Sequence, residues 1–160
     1  HLFQQFAVAR ERAEGATLAS EELRMVAVTT GEVEKGFELA LLNACVDGFV
    51  AAVQVALEVE GVDVNQATKN GSTPLFITCL KGHVDVVRLL LARKEIQINE
   101  AAKDGTTPLW VTCHFGHVDV VRLLLARKEI QINQATEDGR TLLHATCQNR
   151  HVDFVRVFLA

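Results

Sequence analysis

The chain has 160 residues, 49% of them hydrophobic, and a formal net charge of -4. This length is sufficient for one ordinary domain, and the negative net charge gives no electrostatic argument for nucleic-acid binding. Charged residues at Arg10, Glu11, Arg12 and Glu14 interrupt any apolar run at the amino end. No secretory signal or transit peptide is therefore evident there.

The first part of the chain, residues 1–36, lacks the motifs that recur in the rest of the sequence. Apolar residues at Leu2, Phe3 and Phe6, and a helix-start pattern at Ser20, predict two helices. We expect residues 1–36 to be a helical capping segment for the domain that follows.

The remainder of the chain, residues 37–160, repeats itself. Its cysteines are the only four in the sequence, and each lies 34 residues after the one before, at Cys45, Cys79, Cys113 and Cys147. A fixed period of this length is typical of a stack of similar supersecondary units. The period divides the domain into repeats at 37–70, 71–104, 105–138 and 139–160.

The first repeat contains an apolar stretch, Leu39 to Leu57, whose one formal charge is Asp47. Such a stretch could be interpreted as a membrane span. However, Cys45 and Gly48 keep the register of the repeat, and Gly48 should end a helix. We therefore expect two helices here and no membrane insertion.

The second and third repeats are nearly identical, and residues 82–99 and 116–133 have the same sequence. Thr73 is a good N-cap and Pro74 suits the first helical position, so a first helix should begin there and end before Gly82. The second helix, Val84 to Leu91, is apolar on almost every side and must be covered by neighbouring repeats.

The junctions between repeats contain Asn70-Gly71, Asp104-Gly105 and Asp138-Gly139. Asn-Gly and Asp-Gly pairs are typical of tight type I′ turns, in which positive φ is needed. We therefore predict a β-hairpin loop at each junction.

The fourth repeat begins at Gly139, but Leu142 replaces the proline and Arg150 replaces the glycine between the helices. Its last helix, Val152 to Leu159, is apolar on nearly every side. We expect further sequence, a partner or a second copy to cover this helix, and the isolated chain to self-associate through it. Because the sequence lacks a starting methionine and stops within a repeat, we expect a fragment or a processed form.

These motifs resemble the ankyrin repeat. Thr73-Pro74-Leu75 and Thr107-Pro108-Leu109 match the start of the family motif, and Gly82-His83 and Gly116-His117 match its centre. Phe76 replaces the histidine that normally follows the leucine. The resemblance implies an all-α solenoid of stacked helix-turn-helix units with β-hairpin loops, which grips protein partners through a concave face of hairpins and first helices.

The recurring cysteines allow two interpretations. Stacked helices lie about 8 to 10 Å apart, which is too far for disulfides between equivalent cysteines. The thiols are then free, buried fillers, which favours an intracellular, reducing compartment, most simply the cytoplasm, without excluding an organelle. Alternatively, the recurring spacing of Cys79 and His83 could bind zinc, but four convergent ligands are needed and Gly82 should end the helix between them. We expect no metal and no cofactor.

Catalytic patterns are absent from the sequence. His114 and His144 have no nucleophile at motif spacing, and there is no glycine-rich phosphate loop. Pairs such as Asp85 with Arg88 are interpreted as a solvated helix face. We therefore predict that the chain is not an enzyme.

The differences between the second and third repeats all fall in the hairpin or the first helix. This pattern predicts a partner-binding surface there, although drift at tolerant surface positions would produce it too. The predicted binding residues are Lys69, Ser72, Leu80, Lys81, Lys103, Thr106, Trp110, His114, Phe115, Glu137, Arg140, Gln148 and Asn149. We predict a protein-binding scaffold or adaptor; the alternative is a structural or regulatory arm of a larger enzyme or membrane complex.

Overall fold

The computed structural model describes residues 33–148, which form seven α-helices and no strand. The helices are α1 (Val33–Asp47), α2 (Val50–Glu58), α3 (Pro74–Lys81), α4 (Val84–Leu91), α5 (Pro108–Phe115), α6 (Val118–Leu125) and α7 (Leu142–Gln148). The two helices predicted in the capping segment and the predicted last helix of the fourth repeat lie outside the described residues. Helix α1 begins at Val33, so it runs through the predicted boundary between residues 36 and 37.

The helices form two rows. The first helices of the repeats, α1, α3, α5 and α7, pack side by side in chain order, and the second helices α2, α4 and α6 do the same. Each second helix also packs against the first helix of its own repeat. Because every repeat contacts mainly its neighbours, this is the predicted all-α solenoid.

The first helices begin and end as the sequence predicts. The Thr73 hydroxyl accepts a hydrogen bond from the Phe76 N–H at 3.1 Å, and Pro74 occupies the first helical turn. Thr107 and Pro108 do the same for α5. Gly82 ends α3 with φ 74°, a left-handed conformation that suits glycine best.

The hairpins differ from the prediction in register. The Gly71 N–H donates to the Thr68 carbonyl at 2.9 Å, and the Thr68 N–H donates to the Ser72 carbonyl at 3.0 Å. The turn therefore closes at the left-handed glycine instead of one residue after it, which gives a three-residue loop. The type I′ prediction is wrong for this reason, and the loops at Gly105 and Gly139 have the same hydrogen bonds.

The apolar stretch of the first repeat is divided between two helices. Gly48, with φ 72°, separates the end of α1 at Asp47 from the start of α2 at Val50. Within residues 33–148, no helix combines the length and the apolar character needed to cross a membrane.

One leucine position of the first helices differs in burial along the stack. Leu75 and Leu109 occupy the same position in successive first helices and are 0% and 1% exposed. Leu143 has the same position in α7, which packs on α5 among the described helices, and it is 68% exposed. Packing against α5 alone thus does not bury this leucine.

This difference predicts unequal effects for two identical substitutions. Leu109→Ala should lower the free energy of unfolding by about 2 to 5 kcal/mol, because it leaves a cavity between repeats. Leu143→Ala, at the matched position, should change it by no more than about 0.5 kcal/mol. Urea denaturation followed by circular dichroism measures both, and equal losses would show that stacking does not determine burial at this position.

Candidate functional site

The predicted binding residues lie mostly on one surface, which we call the hairpin face. It consists of the hairpin turns 67–72, 101–106 and 135–140 together with the last turns of α1, α3 and α5. The predicted residues that are exposed are Lys69, Lys81, Lys103, Phe115, Glu137 and Arg140, and those that are half-buried are Ser72, Leu80, Thr106 and His114. Asn149 and the side chain of Gln148 lie outside what the structure describes.

Trp110 is a predicted binding residue, but its ring is buried and is not available to a partner. Its side chain is only 8% exposed, like Phe76 at 7% in the preceding repeat, because this position faces the core between repeats. The indole stacks on His114 with ring centroids 5.0 Å apart and an angle of 11° between the planes. Trp110 therefore packs beneath the hairpin face, against His114.

A row of aromatic rings leads from this buried indole to solvent. The His114 ring meets the Phe115 ring edge-on at 5.0 Å, and Phe115 stacks on His117 at 6.4 Å. Phe115 is 53% exposed despite these contacts. A large apolar side chain that is held in place and yet exposed has the character of an interface anchor.

The lysines of the hairpin face are unpaired within the described part of the chain. Lys69, Lys81 and Lys103 form no ion pair with another described residue. Their ammonium groups are thus free to interact with carboxylates of another molecule.

Two hairpin carboxylates, in contrast, are engaged within their own turns. Asp104 accepts hydrogen bonds from the backbone N–H and the hydroxyl of Thr106. Asp138 accepts from the Thr136 hydroxyl and forms an ion pair with Arg140 at 2.8 Å. The Thr136 hydrogen bond and the Arg140 charge hold the pKa of Asp138 below its usual value.

Successive repeats are joined by a histidine. His83 Nε2 donates to the carbonyl of Val46 at 3.1 Å, and His117 Nε2 donates to the carbonyl of Leu80 at 3.0 Å. Each carbonyl belongs to the last turn of the preceding first helix. His83 and His117, which were candidate zinc ligands, therefore face the preceding repeat and bond to its backbone.

The glycine that ends each first helix also makes room for this histidine. A Cβ atom on Gly82 would lie 2.5 to 2.8 Å from the His117 ring, and one on Gly48 would lie 2.7 to 2.9 Å from the His83 ring. From the sequence, these glycines are recognisable only as helix-ending residues. The available signal is that Gly82 and Gly116 are each followed directly by a histidine, His83 and His117.

Arginines form a second link between repeats. The Arg93 guanidinium donates to the carbonyl of Leu57 at 2.7 Å, and Arg127 donates to the carbonyl of Leu91 at 2.9 Å. These carbonyls lie at the C-terminal ends of α2 and α4, where positive charge is favoured. The arginines thus cap the second helix of the preceding repeat.

Asparagines form a third link. The Asn65 side chain donates to the Glu95 carbonyl and accepts from the Gln97 N–H, both at 2.8 Å. Asn99 makes the same two hydrogen bonds to the loop of the next repeat, at Glu129 and Gln131. Neighbouring repeats are therefore held in a fixed register beneath the hairpin face.

The cysteines are free, buried thiols at Cys45, Cys79 and Cys113. Burial raises the pKa of each to about 12. A thiol with so high a pKa is protonated at neutral pH and is a poor nucleophile and metal ligand. In residues 33–148, no three or more His, Cys, Asp or Glu residues are grouped so that they could hold a metal ion.

Two overlapping parts of the chain, residues 26–102 and 94–160, match the family model described as ankyrin repeats in three copies. The chain belongs to the ankyrin repeat family. The predicted family and repeat fold are confirmed. Ankyrin repeats are generally protein–protein interaction modules and are typically non-enzymatic. A comparison with curated proteins finds no match.

The fit between glycine and histidine in this ankyrin stack can be tested with a matched pair of substitutions. Gly82 and Gly139 have similar left-handed φ values of 74° and 77°, but only Gly82 has atoms within 4 Å of an added Cβ. Both alanine variants should therefore lose roughly 1 to 2 kcal/mol from backbone strain. Gly82→Ala should lose about 1 kcal/mol more, because His117 must leave its rotamer or its hydrogen bond.

Urea denaturation measures the two losses, and a double-mutant cycle of Gly82→Ala with His117→Ala tests their origin. Removing the imidazole should relieve the extra loss in the double variant. Equal losses at Gly82 and Gly139, or strictly additive effects in the cycle, would contradict the proposed contact.

Proposed function

We propose that this ankyrin domain is a scaffold or adaptor module that binds a protein partner through its hairpin face. The observation that carries the proposal is the exposed Phe115 ring, which lies on a row of stacked rings next to the position of the unpaired Lys81 in the neighbouring repeat. Exposed aromatic residues with well-packed surroundings are common anchors of protein interfaces.

The distribution of sequence differences supports the same face. The second helices α4 and α6 have identical sequences, and their Val86, Val87 and Val120 are buried in the stack. Most differences between the second and third repeats are at exposed or half-buried positions, such as Lys81 and Phe115, while Trp110 and Val111 replace Phe76 and Ile77 at buried positions. If the hairpin face determines the choice of partner, the second helices should keep the same sequence while residues on the face differ between repeats.

A second candidate function is that of a structural or regulatory arm in a larger assembly. Leu143 and Ile132 favour it, because they are 68% and 44% exposed at positions whose equivalents in earlier repeats are buried. Further protein packed on this end of the stack would bury both. Self-association through the last predicted helix, which lies outside the described residues, stays a prediction.

The free, buried thiols also support the proposed location. Cys45, Cys79 and Cys113 need no oxidation to reach the folded state, which is usual for proteins of reducing compartments. We therefore propose an intracellular site, with the cytoplasm favoured, and a role for residues 1–36 as a cap on the first repeat.

Alanine substitutions on the two sides of the stack test the binding face. Phe115→Ala, Lys81→Ala and Arg140→Ala should each weaken partner capture, and a true anchor should cost about 2 kcal/mol, or roughly 30-fold in affinity. The melting temperature should change little, because all three side chains are exposed. Trp110→Ala is unsuitable, since this side chain is buried.

The control variants are Arg88→Ala and Arg122→Ala, whose side chains are exposed on the second helices. They should leave capture intact. If the control pair abolishes capture and the three hairpin-face variants do not, the binding face is on the opposite side of the stack.

A further inference from the structure

The charged groups of the hairpin face are arranged by the backbone. The Lys103 N–H donates to the Asn70 carbonyl at 3.0 Å, which joins the second hairpin directly to the first. Lys69 and Lys103 therefore occupy equivalent places on adjacent, hydrogen-bonded turns. Lys81 ends α3, and Phe115 takes the same position at the end of α5, which packs against α3.

This part of the hairpin face has fewer carboxylates than lysines. In the two hairpin turns 67–72 and 101–106 and the last turns of α1, α3 and α5, the acidic residues are Asp47, at the end of α1, and Asp104. The Asp104 carboxylate accepts two hydrogen bonds from Thr106. Glu100 is exposed just before the second turn and is the nearest further carboxylate in sequence. The first two hairpin turns and the ends of α3 and α5 thus present three lysines and one exposed aromatic ring.

We propose that the partner segment is an acidic peptide with a large apolar side chain, bound across the first two hairpin turns and the ends of α3 and α5. Its carboxylates would pair with Lys69, Lys81 and Lys103, and its apolar side chain would pack on Phe115. This inference rests on the proposed function, because it names the chemistry of the ligand for the same face.

The net charge of -4 does not oppose an acidic ligand. At physiological ionic strength the Debye length is about 8 Å, so charges on the opposite side of the stack are largely screened. The local lysines then dominate the field that a bound peptide experiences. A nucleic acid is a weaker match, because three lysines release few counterions and its affinity at this ionic strength would be low.

Glu137 marks the end of the lysine-containing site. It occupies the position of Lys69 and Lys103 on the third hairpin, and its N–H donates to the Asp104 carbonyl at 3.0 Å. Its exposed carboxylate repels an acidic chain that continues onto the third hairpin. Glu137→Lys places at this site the residue that two other repeats already have, so the variant should fold and bind an acidic peptide more tightly.

The experiment measures fluorescence anisotropy of three labelled twelve-residue peptides with the whole chain. The first peptide has glutamates around a central phenylalanine, the second has lysines in place of the glutamates, and the third has alanine in place of the phenylalanine. The first should bind at least about 10-fold more tightly than the second, because the second reverses every charge. The third should bind about 5-fold or more weakly than the first, because it lacks the contact with Phe115.

Charge variants of the protein complete the test with the first peptide. Lys103→Glu should weaken binding about 3-fold or more, and Glu137→Lys should strengthen it by a similar factor. Lys94→Glu, an equal charge change at an exposed site after α4 and outside the hairpin face, should leave binding within about 2-fold.

Several results would overturn the inference. The acidic peptide could fail to bind at about millimolar concentration, or the lysine peptide could bind as tightly as the acidic one. Oligothymidylate could bind more tightly than the acidic peptide, or Lys94→Glu and Lys103→Glu could change peptide affinity equally. Any of these, with partner capture that still depends on Phe115, would remove the acidic ligand and leave the proposed function intact. Capture that is independent of Phe115, Lys81 and Arg140 would instead remove the proposed function.

Discussion

The contact between one repeat and the next is the interaction on which the rest of the structure depends. Gly82 leaves the space that the His117 ring fills, and that ring donates to the Leu80 carbonyl at the end of the same helix. The arginine and asparagine links fix the other side of each junction. Because a single repeat cannot bury its own apolar face, these junctions determine whether the core forms at all.

The same junctions separate the supporting frame from the variable surface. Residues 82–99 and 116–133 provide the glycine, histidine, arginine and asparagine of the links, and they are identical in sequence. A substitution there would alter both a repeat and its contact with the neighbour. The hairpin tips and the last residues of the first helices carry no such constraint, so Phe115 and Lys81 can occupy equivalent positions with different chemistry.

The features that the sequence predicts correctly are those with a local cause. Thr73 and Pro74 start a helix and Gly82 ends it, because the capping groups lie within a few residues of one another. The burial of Trp110 and the link from His117 to Leu80 were missed, since their partners come from packing between repeats. The hairpin register was wrong because Asp-Gly and Asn-Gly pairs suit both two-residue and three-residue loops, and the hydrogen bonds alone distinguish them.

We expect a protein partner to contact the hairpin face and not the second helices, and site-specific photo-crosslinking distinguishes these two surfaces. Lys81 and Arg88 are both exposed in the second repeat, one at the end of α3 and the other on α4. Replacing each in turn with benzoylphenylalanine, followed by irradiation in a cell extract and mass spectrometry, reports which protein lies against each position. We predict a specific protein crosslinked at position 81 and absent at position 88; the same protein crosslinked at 88 and not at 81 would show that the second helices form the binding face.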